Sequence, residues 1–245
     1  AKTLDGSVER KLMGAQERDA ILGRLQAGSD FELLQGCDLV VEAVIEVAQA
    51  KREVFERVLA AAGPDVLLAT NTSTLSISSL AKTVAHPRNF IGLHFFAPVD
   101  RMALVEVIMG ADTSEATLAR SLDFLRLLGK TPVVVNDGPG FYTSRVVGAY
   151  TREALHLLNE GVSPALIDNA AFIAGLPIGP LAMADLTSYD LLADIVGSLA
   201  REARGTAVQS QGAQQAIEKL LGAGRLGRKA AGGVYDYPPE GKTVW

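Results

Sequence analysis

Cysteine is almost absent from this chain of 245 residues: Cys37 stands alone. One thiol excludes an internal disulfide and fits a reducing compartment, so a cytoplasmic setting is expected. Its place just before the apolar run Leu39-Val40-Val41 reads as a quiet, buried thiol. Long hydrophobic runs are missing as well, and no membrane span is expected. Basic residues do not exceed acidic ones, 23 against 28, and the net charge is −5. With no basic cluster, that balance excludes a nucleic-acid surface. No Cys/His spacing of a metal site occurs, so no metal is expected. What remains is an ordinary globular composition, 48% hydrophobic and 21% charged, with ample length for a core.

A glycine-rich phosphate loop is also missing. Gly222-Ala223-Gly224-Arg225-Leu226-Gly227 has the G-x-G-x-x-G spacing. That loop works by joining a strand to a helix N-terminus, whose free N–H groups hold a pyrophosphate. Here a helical pattern precedes it and "RKAAGGVYDY" follows, so it reads as a helix end running into a loop.

The segments that are present follow a simple order. The first thirty residues are charged and helix-like, with no strand ahead of them. Apolar strands are then predicted at 38–44, 65–71, 91–96, 104–109 and 131–137, with helices at 46–63, 73–84 and 114–129. This alternation predicts an α/β fold, a mostly parallel sheet with helices on its faces. After "DGPG" (137–140) the strands stop, and helices are predicted at 140–160, 163–174, 184–203 and 211–222. The shift near residue 138 divides the chain into domains 1–137 and 138–245. In an open α/β sheet ligands bind beyond the carboxyl ends of the strands. Val44 to Glu46, Asn71 to Ser73 and His94 all lie at or just past such ends.

The stretch "IGLHFFAPVDRMALVEVI" (91–108) reads as two apolar strands joined by a Pro-containing turn. Glu106 stands inside the second, where a carboxylate is costly to bury without a partner. His94, near the end of the first, is a suitable one. Read alone, the pair is packing or chemistry, and Ser73 in "NTST" is a helix cap. Glu46, Lys51 and Lys229 read as solvated charges.

"NTSTL" (71–75), "GLHFFAPVDRMALVEV" (92–107), "DGPGFYTSR" (137–145) and "GRKAAGGVYDY" (227–237) together carry a resemblance. The chain resembles the L-3-hydroxyacyl-CoA dehydrogenases of fatty-acid β-oxidation, most of all the dehydrogenase part of multifunctional α-subunits. The resemblance implies a truncated Rossmann-type doubly wound sheet, its first βαβ unit absent, followed by an all-helical C-terminal domain for substrate and dimerisation. It implies NAD as cofactor, an acyl-CoA as substrate, and a homodimer or further domains of a larger polypeptide as partners. His94 matches the catalytic base, Glu106 its acidic partner, and Ser73 the serine that donates to the substrate oxygen, with Ser144 placed to give a second bond to that oxygen. Glu46, Lys51, Ser73 and Lys229 match cofactor contacts. Two positions depart from the pattern: Ala97 and Ser144 stand where many relatives have Asn. The expected activity is hydride transfer between the C3 hydroxyl of an acyl-CoA and NAD. The alternative is a cofactor-incompetent remnant that binds acyl-CoA or self-associates without turnover. Without the first strands, the sheet edge beside Leu39–Val44 is exposed, and pairing there with another chain or a further segment is expected.

Overall fold

The computed structural model describes residues 1–193, 211–238 and 241–245. The opening segment is helical as expected: α1 (Lys2–Glu9) and α2 (Ala15–Leu22) bury no residue and are tied by an Arg18–Asp5 ion pair at 2.8 Å. Five strands follow in one sheet, β1 (Leu39–Glu42), β2 (Leu67–Thr70), β3 (Phe90–Phe95), β4 (Leu104–Met109) and β5 (Thr131–Asn136), arranged in chain order. β1, β2 and β3 run parallel, β4 returns antiparallel to β3, and β5 runs parallel to β4. Cys37, expected to be buried, is only half-buried ahead of β1.

The continuous apolar runs are explained by cover on both faces of the sheet. Leu68, Phe90 and Ile108 meet Phe55 and Val58 of α3 (Ala48–Ala62) and Ile77 and Leu80 of α4 (Ile77–Ala81). On the opposite face Leu67, Ala69, Ile91, Leu93, Val105 and Val107 meet Leu125 of α5 (Glu115–Leu127). Gly92 sits where α4 presses closest: a Cβ there would lie 2.7 Å from Ile77 Cδ1 and 3.0 Å from Ile108 Cβ. The helix predicted from 73 to 84 begins only at Ile77, because residues 72–74 give their polar groups to Glu46. Ser76 then caps α4 through the N–H of Ser79.

β1 forms an edge of the sheet. Among the described residues nothing pairs with its outer side, and Leu39, Val40 and Val41 stay partly exposed. The partner expected at that edge is not supplied by the described residues.

Beyond β5 the chain folds as α6 (Thr143–Asn159), α7 (Pro164–Ile173), α8 (Pro180–Thr187) and α9 (Gln211–Gly222) around their own apolar cluster. The helix predicted over 184–203 is not one helix. α8 starts earlier, with Pro180 at its first position, and stops at Ser188, whose φ is +78°. The chain turns helical again at Tyr189, and 194–210 lie outside the described residues. Nor is this half all-helical: β6 (Tyr235–Asp236) and β7 (Thr243–Val244) pair antiparallel. Strands of two residues carry no periodic signal; this one is fixed by Asp185, which accepts from the N–H groups of Val234 and Tyr235 at 2.8 and 3.0 Å. Buried Asp168 does the same for α8, accepting from Leu181 and Ala182 N–H. Among the described residues no helix is long and apolar enough to cross a membrane.

Candidate active site

The register of the β3–β4 hairpin sets His94 directly opposite Glu106. Side chains alternate between faces along a strand, so the pair shares the face that carries Ile108 and Gly92. His94 Nδ1 lies 2.6 Å from Glu106 Oε2. Glu106 is fully buried and His94 nearly so. Phe96 and Phe141 flank the imidazole, with ring centroids at 4.5 and 6.2 Å.

Burial alone would make so enclosed a carboxyl neutral. Its other partners come from the start of α6. Glu106 Oε1 accepts from Tyr142 N–H at 3.0 Å and Thr143 N–H at 2.8 Å, and Oε2 accepts from the Thr143 hydroxyl at 2.8 Å. The free N–H groups of a first helical turn carry the positive end of the helix dipole, which favours an anion. Burial pushes the Glu106 carboxyl up, but the bonds from His94 and Thr143 outweigh it and hold the group below the usual carboxylate range. An ionised Glu106 only accepts, so Nδ1 of the imidazole must donate. In the neutral ring this leaves Nε2 as a free base.

The turn that delivers these N–H groups is unusual. Gly140 and Phe141 are both left-handed, with φ of +71° and +47°. Glycine adopts that region freely, whereas a residue with a Cβ bears a cost of about 1–2 kcal/mol. Burial of the Phe141 ring in the cluster against Ile77 and Ile108 offsets it.

A second polar cluster lies at the carboxyl ends of β1 and β2. Glu46 Oε1 accepts from Thr72 Oγ1 at 2.5 Å, from the N–H groups of Ser73 and Thr74 at 3.0 and 3.1 Å, and from Thr74 Oγ1 at 3.1 Å. Burial raises the Glu46 carboxyl, and Thr72, Lys51 and Ser73 together bring it below the ordinary value. Lys51 lies beneath it, 1% exposed, with its ammonium 3.2 Å from Glu46 Oε2 and 2.9 Å from Glu42 Oε1. Asn71 links the two clusters, its Oδ1 accepting from Phe95 N–H at 2.8 Å.

The sequence candidates thus fall into three groups. His94 and Glu106 touch, and Ser144 lies half-buried in the first turn of α6, one residue past Thr143. Glu46, Lys51 and Ser73 form the neighbouring cluster. Lys229 is with neither: its ammonium meets Asp190 at 2.5 Å in the helical half. Sequence reading passed over Thr143, Glu42 and Asp137. Asp137 accepts from Ser76 Oγ and from the N–H groups of Ile77 and Ser78 at the start of α4. Glu42 had one visible signal, a carboxylate at the end of an apolar strand; Thr143 had only a hydroxyl just after "GPGF".

A dinucleotide would find fitting groups here at one end only. Glu46 and Ser73 offer a carboxylate and a hydroxyl at adjoining strand ends, groups that can hydrogen-bond a ribose. Among the described residues no strand runs through a glycine loop into a helix. Gly222 ends α9, Gly224 turns the chain with a φ of +72°, and a Cβ on Gly227 would lie 2.5 Å from Asp185 O, so the motif is a helix end running into a loop packed in the helical half.

Two family models cover nearly all of this arrangement. "3-hydroxyacyl-CoA dehydrogenase, NAD binding domain" matches residues 1–138, and "3-hydroxyacyl-CoA dehydrogenase, C-terminal domain" matches residues 140–237. The fatty acid oxidation complex subunit alpha of Shewanella baltica is 39% identical over 243 residues, 99% of this chain and 34% of that protein. The chain thus spans about a third of the length of the curated relatives it matches. The (S)-3-hydroxybutyryl-CoA dehydrogenase of Ralstonia eutropha superposes with a TM-score of 0.90 at 33% identity, over 97% of this chain and 83% of that one. The 3-hydroxybutyryl-CoA dehydrogenase of Escherichia coli K12 gives 0.90 at 34% identity, over 99% and 52%. With both of its domain models matched in order, and the buried histidine–glutamate pair of the first bonded to the start of the second, the chain belongs to the 3-hydroxyacyl-CoA dehydrogenase family.

Proposed function

We propose that this chain is the dehydrogenase portion of a longer β-oxidation protein, acting on (3S)-3-hydroxyacyl-CoA with NAD in the cytoplasm. The observation that carries the reading is the buried His94–Glu106 pair, 2.6 Å apart, whose second ring nitrogen has no hydrogen-bond partner among the described residues. NAD, when bound, would supply the acceptor for the hydride that leaves C3. His94 Nε2 takes the proton of the C3 hydroxyl and returns it in the reverse direction. Glu106 stays ionised, fixes the tautomer and stabilises the imidazolium, as the carboxylate of a Ser-His-Asp arrangement does. Ser73 and Ser144 donate to the substrate oxygen. Glu46 faces the cofactor ribose with Lys51 holding it from below, and Lys229 reaches the cofactor only by leaving Asp190.

Segments 1–137 and 138–245 are the cofactor and substrate domains in this reading. A second copy covers α7, whose outer side leaves Leu166, Phe172 and Ile173 exposed. Such a face on an isolated chain is expected at a homodimer interface.

The test is NADH oxidation with acetoacetyl-CoA, for the chain and for His94→Gln, with NADH binding followed by fluorescence. Loss of a general base typically costs about 10²- to 10⁴-fold, and a decrease of that size is expected. Equal rates in the two proteins would overturn the assignment. The second reading, a remnant that does not bind cofactor, is favoured by one observation: the described residues lack a phosphate loop. Neither NADH binding nor turnover in the 245-residue chain would establish it.

A further inference from the structure

We propose that Thr143 is a positioning residue for the His94–Glu106 pair, acting through its hydroxyl. Its consequence for turnover rests on the dehydrogenase reading; its effect on the imidazole does not.

An ionised carboxylate offers about four lone-pair sites. At Glu106 all are taken: Oε1 by the N–H groups of Tyr142 and Thr143, Oε2 by His94 Nδ1–H and the Thr143 hydroxyl. Three of these donors survive many substitutions, because two are backbone groups and one is the base itself. The fourth exists only where residue 143 is Thr or Ser. It shares Oε2 with the imidazole, so it competes with His94 for the charge on that oxygen. It also comes from the far side of the boundary between the matched domain models, residue 143 lying in the second and Glu106 in the first. A hydroxyl in this place does two things. It fixes the rotation of the carboxylate, so that Oε2 points along Nδ1–H. It also draws charge away from Oε2, which tempers the pull of Glu106 on the imidazolium.

The groups facing the pair are few. From β4 comes Glu106 itself, from α6 and its preceding residue the Thr143 hydroxyl and two N–H groups, and beside the ring the side chains of Phe96 and Phe141. Among the described residues the hydrogen bonds and ion pairs of both side chains end there. With no other charge in contact, removal of the hydroxyl has one predicted sign. Oε2 becomes the stronger acceptor, and the protonated imidazole is favoured.

The experiment is an NMR titration of the three histidines in the whole chain, with His94→Gln to assign the signal. Thr143→Val keeps the shape and the backbone N–H; Thr143→Ser keeps the hydroxyl. The His94 midpoint is expected to rise by about half a pH unit or more in Thr143→Val, and to return to the parent value in Thr143→Ser. The acid limb of kcat/KM follows by the same amount, with KM for the acyl-CoA unchanged. An unmoved midpoint in Thr143→Val, with only the urea midpoint lowered, would reduce Thr143 to a helix cap and overturn the proposal. If valine is not accommodated, Thr143→Ala makes the same comparison with the same two outcomes. A shifted titration in a chain that binds NADH but reduces no acetoacetyl-CoA would uphold the positioning role and overturn the dehydrogenase reading.

Discussion

Glu106 and Glu46 are both surrounded by donors and both held below the usual carboxylate range. A folded-state value below the unfolded one adds stability that is present above the unfolded pKa, about 4.3 for Glu, and lost as pH falls through the folded value. Stability in urea is therefore expected to hold from neutral pH to about pH 5 and to decline below about pH 4.3. Glu106→Gln keeps the shape but turns one acceptor oxygen into a donor facing Thr143 or His94. The expected costs are about 1–3 kcal/mol of stability and at least about a hundredfold in kcat, with a shallower acid slope. Urea titrations at pH 7 and pH 4 beside steady-state kinetics check both; an unchanged kcat would remove Glu106 from the dyad. At this scale sequence carries identity but not saturation. That His94 and Glu106 would meet was legible from one histidine and one glutamate on neighbouring apolar strands. That Thr143 would complete the carboxylate was not, because its hydroxyl is aimed by two left-handed residues, one of them a phenylalanine.

Elements were legible in proportion to their length and regularity. β4 lies at Leu104–Met109 as its pattern predicts, and α3 and α5 differ from their expected spans only at the ends. Where tertiary bonds compete with local ones, the pattern misleads. α4 is cut short by Glu46, α8 is ended by Ser188, and the β6–β7 hairpin exists because Asp185 takes its N–H groups. Close packing of elements is likewise invisible in a pattern. Gly92 looks like a weak residue in a strand, yet Ile77 of α4 occupies the space its side chain would fill. Gly92→Ala is expected to destabilise the chain by about 1–3 kcal/mol, the usual result of overpacking. It should also slow turnover, since His94 lies two residues along the same strand face. A urea midpoint equal to the parent's would mean that α4 gives way freely.

The two halves of the molecule are tied at the dyad, and each leaves a surface unpartnered. β1 presents its open edge, and α7 presents Ile173 at 88% exposure. If a second copy covers α7, Ile173→Asp should weaken self-association by about tenfold or more, read by sedimentation equilibrium. A parent chain that is monomeric at the same concentrations would remove the interface from α7. The tie itself has a consequence for how the chain is made. Glu106 is translated 37 residues before Thr143, a delay of about two to seven seconds at ordinary rates of synthesis. During that interval the sheet face that will enclose the carboxylate lacks the amides that make its charge tolerable. The nascent first half therefore has either to keep that face open to water or to carry Glu106 protonated. Only the emergence of the helix after Gly140 lets the sheet close over an ionised residue, so a competent base waits for the start of the helical half.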